Sequence, residues 1–142
     1  MFILDTDILS IMQRRSEPES SRLMQRMIQF RFEVFHVSVV SLHEQVLGAN
    51  SFIAKKTKPE EIALGYRFID LAMIDYSRFH VLPFDEPAAR RFVDLRKHRV
   101  RIGTMDLRIA AIALSHNFAV LSRNTVDFEQ VPELRCEDWT TA

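Results

Sequence analysis

Short apolar runs alternate with predicted helices along this chain. The apolar runs read MFIL, EVFHVSVV, HVLPF and FAVLS, and LRCEDW near the end is a further candidate strand. The segments between them, such as SLHEQVLGANSFIAKK and TMDLRIAAIALSHN, have the composition of helices. Strands that alternate with helices form parallel sheets covered by those helices. The pattern therefore predicts an α/β sandwich around a short, mainly parallel sheet.

The size and composition of the chain indicate one folded domain. Its 142 residues are 47% hydrophobic and 27% charged, which suits a sizeable core. No repeat, low-complexity tract or change of composition divides the sequence, so we expect a single domain over residues 1–142. The 19 basic residues balance the 19 acidic ones. Binding to nucleic acid would therefore need a local concentration of positive charge.

Cysteine content and hydropathy indicate where the protein resides. Cys136 is the only cysteine, so no disulfide forms within the chain, and this suits a reducing cytoplasm. The longest apolar run, IAAIAL, is far below the roughly 18 residues that span a membrane. Asp5 interrupts the start before a signal-peptide run could form. We expect a cytoplasmic protein that does not enter the membrane.

Acidic residues follow the predicted strands or open the helices after them. Asp5 and Asp7 come directly after MFIL, Glu44 follows EVFHVSVV, and Asp127 follows FAVLS. Asp106 lies in the first turn of the helix that begins near TMDL. In an open parallel sheet, ligands bind outside the carboxyl ends of the strands. We therefore expect these carboxylates to converge in one acidic pocket.

Each acid also has a purely structural explanation. The letters SLHE match an S-x-x-E capping box, in which Glu44 accepts a hydrogen bond from a free N–H group. Asp106 complements the helix dipole, Asp7 suits a helix N-cap or first turn, and Asp127 suits a turn cap. Asp5 fits such a role least, because it directly follows a buried strand and has no neighbouring Lys or Arg. Only the joint pattern favours a functional site.

A cation is the natural occupant of such a pocket. Converging carboxylates repel one another and raise each other's pKa unless a cation lies between them. Oxygen ligands select hard cations such as Mg²⁺ or Mn²⁺, and the histidines and the lone cysteine lack zinc-ligand spacing. A cation of this kind lowers the pKa of a bound water and offsets charge at phosphorus, so the predicted chemistry is hydrolysis at phosphate. The sequence is compatible with a site that holds one metal ion and with a site that holds two.

Four motifs together resemble one known family. FILDTDIL, SVVSLHEQVLGA, GTMDLRIAAIAL and VLSRNTVDFEQVPELRCEDW resemble, in order and spacing, the PIN-domain family and its VapC-type toxins of bacterial toxin–antitoxin pairs. The resemblance covers nearly the whole chain. It implies a three-layer α/β/α sandwich and a Mg²⁺-dependent endoribonuclease, with Mn²⁺ as a substitute. It also implies a cognate antitoxin, an RNA substrate and a homodimer.

The resemblance assigns roles to individual acids. It implies that Asp5, Glu44 and Asp106 form the catalytic acidic core, with Asp127 as a fourth catalytic acid. Asp5 and Asp106 match the direct Mg²⁺ ligands. Asp7 departs from the family pattern, because these toxins usually carry Asn or Ser there. Asp7 either adds a weak ligand, shifts the metal preference or caps the helix, and we favour the helix cap.

Substrate binding needs a basic surface near the acids. The segment LRKHRVRIGTMD places four basic residues just before Asp106, and we predict that they bind phosphate: Arg96, Lys97, Arg99 and Arg101. Lys55, Lys56 and Lys58 form a second basic cluster. Such runs are also typical of ordinary solvated surface. Asn124 matches the polar loop of the family. Ser122 and Asn124 have two possible roles, which are to position a water or a carboxylate, or to cap a turn.

Two other functions are compatible with parts of the pattern. A catalytically inactive PIN-like module would bind RNA or a protein without cutting it. A phosphatase of the haloacid dehalogenase type also begins with D-x-D, but Leu9 stands where that motif has Thr or Val.

The apolar side chains of RLMQRMIQFRF suit a groove for an antitoxin segment.

Overall fold

The computed structural model describes residues 1–142 and contains one five-stranded sheet. The sheet has the order β3-β2-β1-β4-β5, and every pair of neighbouring strands is parallel. Its strands are β1 (Phe2–Leu4), β2 (Phe35–Ser38), β3 (His80–Leu82), β4 (Ala119–Leu121) and β5 (Cys136–Glu137). The central strand β1 therefore delivers residue 5 to the middle of the sheet's carboxyl edge. The predicted parallel α/β architecture is confirmed.

Seven helices connect and cover these strands. They are α1 (Thr6–Arg14), α2 (Glu19–Met27), α3 (Val39–Ala54), α4 (Pro59–Arg78), α5 (Glu86–Lys97), α6 (Thr104–His116) and α7 (Thr125–Phe128), and a 3-10 turn spans Phe32–Val34. None of the helices is both long and apolar enough to cross a membrane. The sequence did not predict the 3-10 turn or α7, because three or four residues are too few to show periodicity.

Local signals explain several helix ends. Asp85 accepts a hydrogen bond from the N–H of Ala88 and begins α5, as the sequence predicts. Asn117 adopts a left-handed conformation with a φ of 57° and ends α6, which is also the predicted boundary. The second strand is shorter than predicted, because the Ser38 hydroxyl accepts from the N–H of Ser41 and starts α3 at Val39.

The sheet separates two apolar clusters, one on each face. Ile3 and Val120 pack on one side, where the buried face of α6 supplies residues such as Ile109 and Ile112. Leu4 and Leu121 point to the other side and pack with residues of α1 and α2. Adjacent strand residues point to opposite faces, so strands covered on both sides are apolar throughout. The three-layer α/β/α prediction is confirmed.

Candidate active site

Asp5 stands at the carboxyl end of β1 and begins α1. Its Oδ1 accepts a hydrogen bond of 2.8 Å from the N–H of Thr6, and its Oδ2 accepts one of 2.7 Å from the Ser122 hydroxyl. Only 5% of Asp5 is exposed. Because β1 and β4 pair in register, the segment after β4 brings Ser122 to this carboxylate. Asp5 is therefore both the helix N-cap and a fixed carboxylate at the centre of the sheet edge.

Burial makes the ionised form of Asp5 costly. Loss of solvent raises the pKa of Asp5 from 3.8 to about 7, and the nearby carboxylate of Asp7 adds to the rise. The hydrogen bonds from Ser122 and from the N–H of Thr6 act in the opposite direction and only partly offset it. In the absence of a cation, the Asp5 carboxyl is thus partly protonated near neutral pH.

Glu44 lies in the second turn of α3 and points towards Asp5. The Thr6 hydroxyl donates a hydrogen bond of 2.8 Å to its Oε1, although the two residues are 38 positions apart. Burial raises the pKa of Glu44, and the charge of Asp106 raises it further. The capping-box prediction is wrong, because Ser38 caps α3 and Glu44 lies too far along the helix to do so.

Asp106 lies in the first turn of α6, as predicted, and is joined to Asp127 through an amide. The Asn124 side-chain amide donates to Asp106 Oδ2 at 3.2 Å and to Asp127 Oδ2 at 2.9 Å. Burial raises the pKa of Asp106, and the charge of Asp127 adds to the effect. Asp127 lies within α7 rather than capping a turn. Ser122 and Asn124, which the sequence predicts either to position a water or a carboxylate or to cap a turn, therefore both contact site carboxylates.

The structure brings three carboxylates together from distant parts of the chain. One oxygen each of Asp5, Glu44 and Asp106 lies within 4.8 Å of the others. None of the three ion pairs in the structure involves these residues. Asp5 is buried, and Glu44 and Asp106 are half-buried. An all-oxygen donor set of this kind, which lacks a basic partner, fits a hard divalent cation that would offset the repulsion. Asp127 is outside this triad and reaches it only through Asn124.

Asp7 is not the helix cap that the sequence favoured. It is the second residue of α1, because Asp5 occupies the capping position. Its Oδ2 accepts a 3.0 Å hydrogen bond from the N–H of Arg123, whereas its Oδ1 is buried without a partner. Burial raises the pKa of Asp7. The alternative prediction, a residue of the first helical turn, is confirmed.

Two hydroxyl residues beside the triad have no predicted role. Thr6 donates to Glu44, and its Oγ1 lies 3.0 Å from the hydroxyl of the fully buried Ser41. The only sequence signal for Thr6 is its position between two acids at the end of a strand. A hydroxyl there borders the same sheet edge as Asp5, which is the argument that could have identified it.

Three of the four predicted phosphate-binding residues line one open depression beside α6. Its volume is about 550 Å³, and its lining includes Arg96, Arg99 and Arg101 together with Thr104, the first residue of α6. Lys97 does not line it. Thr104 precedes Asp106 by two residues, so the depression is close along the chain to the acidic triad.

Comparison with known proteins places the chain in a family. The family model of the PIN domain matches residues 2–134. A Shigella flexneri protein called tRNA(fMet)-specific endonuclease VapC is 32% identical over 145 residues, which is 98% of each chain. A Rickettsia bellii protein called Ribonuclease VapC is 43% identical over 70 residues, 45% of this chain and 52% of that protein.

A solved structure agrees with these matches over the full fold. The structure of DNA-bound VapBC from Salmonella typhimurium has a chain that superposes with a TM-score of 0.74 and 26% identity, covering 97% of both chains. The fold, the acidic triad and the sequence matches thus point the same way. The chain belongs to the PIN-domain family and, within it, to the VapC ribonuclease toxins of toxin–antitoxin systems.

Proposed function

We propose that this ribonuclease hydrolyses RNA at the triad of Asp5, Glu44 and Asp106, with Mg²⁺ as its metal and Mn²⁺ as a substitute. The observation that carries the proposal is the convergence of three carboxylates within 4.8 Å, without a basic partner. Asp5 and Asp106 are the proposed direct ligands, and Glu44 binds directly or through water. A divalent cation bound there lowers the pKa of a coordinated water and offsets charge that develops on the phosphate.

The surrounding side chains hold the triad in place before any ligand binds. Ser122 and the N–H of Thr6 occupy one lone pair on each oxygen of Asp5 and leave the others free. The Thr6 hydroxyl restrains Glu44 in the same way. Metal-binding carboxylates are commonly oriented by such hydrogen bonds. Preorganisation of this kind reduces the reorganisation that the reaction requires.

Asp127 is proposed to act through Asn124. Its Oδ2 accepts one hydrogen of the Asn124 Nδ2 group, and the same nitrogen donates its other hydrogen to Asp106 Oδ2. Because a carboxylate only accepts hydrogen bonds, both contacts require the amide nitrogen, and this fixes the orientation of Asn124. Asp127 thereby orients Asp106, and we assign it this positioning role in the catalytic machinery.

We propose that the basic depression binds the RNA backbone. Arg96, Arg99 and Arg101 concentrate positive charge in a protein whose net charge is zero. Charge of this kind binds phosphate without sequence preference. Lys97 does not line the depression, so it would contribute only to the long-range electrostatic attraction of RNA. Transfer RNA is the first substrate to test, because the Shigella flexneri relative is called a tRNA(fMet)-specific endonuclease.

An antitoxin is the proposed occupant of an apolar groove at α2. The α2 groove has a volume of about 290 Å³, and it is lined by Met24, Ile28, Phe30 and Phe32 beside the end of α4. Ile28 is 75% exposed. Exposed apolar surfaces of this kind mark interaction sites. The structural relative from Salmonella typhimurium is a VapBC complex, which supports a protein partner of the same class.

We also propose a homodimer and a single domain over residues 1–142. Tyr66, Met73 and Ile74 on α4 are more than half exposed, and a second copy of the chain would cover such side chains. Light scattering of the antitoxin-free protein tests the first proposal. A single cooperative unfolding transition tests the second.

The proposed activity is tested by cleavage of total RNA and of purified transfer RNA by antitoxin-free protein. Wild type with Mg²⁺ or Mn²⁺ should cut, whereas wild type with EDTA and the Asp5→Asn variant should not. Asp70→Asn is the matched control, because Asp70 is an exposed acid on α4. Equal RNA survival with wild type and Asp5→Asn, at confirmed folding, would favour an inactive RNA- or protein-binding module.

A further inference from the structure

Asp7 connects the first turn of α1 to the segment that follows β4. The N–H of Arg123 donates a 3.0 Å hydrogen bond to Asp7 Oδ2, and the Ser122 hydroxyl lies 3.5 Å from the same oxygen. The two segments are 116 residues apart along the chain. Asp7 is thus the side chain through which α1 holds the backbone of this segment.

The segment held by Asp7 carries both side chains that orient the proposed metal ligands. Ser122 donates to Asp5 and accepts from the N–H of Asn124 at 2.9 Å. The Asn124 amide in turn donates to Asp106. A displacement of the backbone at Arg123 would therefore move the partners of Asp5 and Asp106 together.

We propose that Asp7 is a positioning residue that fixes the Ser122–Asn124 segment and thereby holds Asp5 and Asp106 in the arrangement that binds the cation. The part of this inference that concerns the cation rests on the proposed function. The part that concerns the segment rests only on the hydrogen bonds of Asp7. Asp7 does not reach the triad itself, because its Oδ1 is enclosed by protein and its Oδ2 is taken by Arg123.

The proposed role requires a hydrogen-bond acceptor at position 7 and does not require its negative charge. In Asp7→Asn, the amide oxygen can accept from Arg123, so the segment should stay in place. In Asp7→Ala, the acceptor is lost and the N–H of Arg123 has no side-chain partner. If Asp7 instead acted by complementing the dipole of α1, its negative charge would be required. Asp7→Asn and Asp7→Ala would then have the same effect, because both remove the charge. The two substitutions therefore separate positioning from the dipole effect.

The experiment compares wild type, Asp7→Asn, Asp7→Ser and Asp7→Ala in three measurements. Hydrogen exchange of the Arg123 amide measures how firmly the Ser122–Asn124 segment is held. Mn²⁺ titration followed by electron paramagnetic resonance measures the affinity of the acidic triad for the cation. RNA cleavage gives kcat and KM separately. Glu60→Ala is the matched control, because Glu60 is an exposed acid in the first turn of α4. The Asp7→Ser variant keeps the test informative if Asp7→Ala does not fold.

Asp7→Ala should lose protection at Arg123 and bind Mn²⁺ about 10- to 100-fold more weakly, as is typical when partners of metal ligands are removed. Its kcat should fall while its KM for RNA stays within about twofold, because the basic depression is untouched. Asp7→Asn should keep the Arg123 protection of wild type, and its Mn²⁺ affinity and kcat should lie closer to wild type than to Asp7→Ala, with only the change caused by the lost charge near Asp5. Asp7→Ser places its hydroxyl one bond closer to the backbone than Asp7 Oδ2, so it should be too short to accept from Arg123 and should resemble Asp7→Ala.

Two results would overturn the inference. One is unchanged Arg123 protection and Mn²⁺ affinity in Asp7→Ala or, if that variant is unfolded, in Asp7→Ser. The other is an equal defect in Asp7→Asn and Asp7→Ala. Failure of the proposed function is distinguishable, because Asp5→Asn would then bind Mn²⁺ as tightly as wild type. In that case, hydrogen exchange of the Arg123 amide would still show whether Asp7 holds the Ser122–Asn124 segment.

Discussion

Asp5→Asn should stabilise the metal-free protein at alkaline pH while it removes metal binding. The pKa of Asp5 rises from 3.8 to about 7 on folding, so the folded state binds the proton more tightly than the unfolded state. A rise of about 3 pKa units corresponds to about 4 kcal/mol of lost folding free energy once the carboxyl is fully ionised. Asparagine carries no charge and does not incur this cost.

The sign of the pH dependence follows from the same shift. For a raised carboxyl pKa, the free energy of unfolding of the wild type falls as pH rises from about 4 to about 7, and it levels off above that range. Asp5→Asn lacks this contribution, so the two proteins should have similar stability below pH 4. At pH 8 the variant should be more stable by about 2–4 kcal/mol.

The packing around Asp5 makes asparagine a suitable replacement. Its amide oxygen can accept from the N–H of Thr6 as the carboxylate does. Its amide nitrogen can donate to the Ser122 oxygen, whose own hydrogen is then free to turn towards Asp7, 3.5 Å away. The N–H of Thr6, the Ser122 hydroxyl and one hydrogen of the new amide all keep partners, so the loss of hydrogen bonding should not cancel the gain.

The assay is urea unfolding in EDTA at pH values from 4 to 8.5, with Asp70→Asn as the control for an exposed acid. The order of stability should reverse with Mn²⁺ at pH 8, because only the wild type gains binding energy. The reasoning is refuted if Asp5→Asn is less stable than wild type at pH 8 in EDTA. A stability difference that does not change with pH would refute it equally.

Three further perturbations test other parts of the account. Thr6→Val removes the hydroxyl that donates to Glu44 and should weaken Mn²⁺ binding about 10- to 100-fold. Thr6→Ser keeps a hydroxyl and should retain most of the Mn²⁺ affinity. Equal Mn²⁺ affinity of the two variants would contradict the role of the hydroxyl. Arg99→Ala and Arg101→Ala should each lower the salt dependence of RNA binding by about one unit in log–log slope, and an unchanged slope would remove the basic depression from the RNA site. Ile28→Glu should weaken antitoxin binding at least tenfold, or about 1.4 kcal/mol, with RNA cleavage unchanged. The control for that variant is Val93→Glu, an exposed residue of α5 that lines neither the α2 groove nor the basic depression, and antitoxin binding that tolerates Ile28→Glu would exclude the α2 groove.

Local sequence signals were sufficient where a structural feature depends on its neighbours alone. The run MFIL followed by Asp5 predicts a strand that ends at an acid, and the structure has β1 end at Leu4. Asp85 and Asn117 mark helix ends through their own backbone and side-chain chemistry. The alternation of such elements was enough to predict the sheet and its covering helices.

The fine structure of the site depends on contacts between distant residues, which a single sequence does not reveal. Both Asp5 and Asp7 are suitable caps, and the exact end of β1 decides that Asp5 caps α1. The letters SLHE match a capping box, but Ser38 begins α3 earlier and Glu44 is left free to accept from Thr6. The bond from Arg123 to Asp7 likewise appears only when β1 and β4 are paired.

The central claim is that Asp5, Glu44 and Asp106 together hold a divalent cation. The most direct measurement is anomalous scattering from crystals of the antitoxin-free protein grown with Mn²⁺ at pH 8, where Asp5 is ionised. The account predicts an anomalous peak between the three carboxylates, in direct contact with Asp5 and Asp106, and no such peak in Asp5→Asn crystals. Fully ordered carboxylates with no peak between them, or a peak that persists in Asp5→Asn, would contradict it.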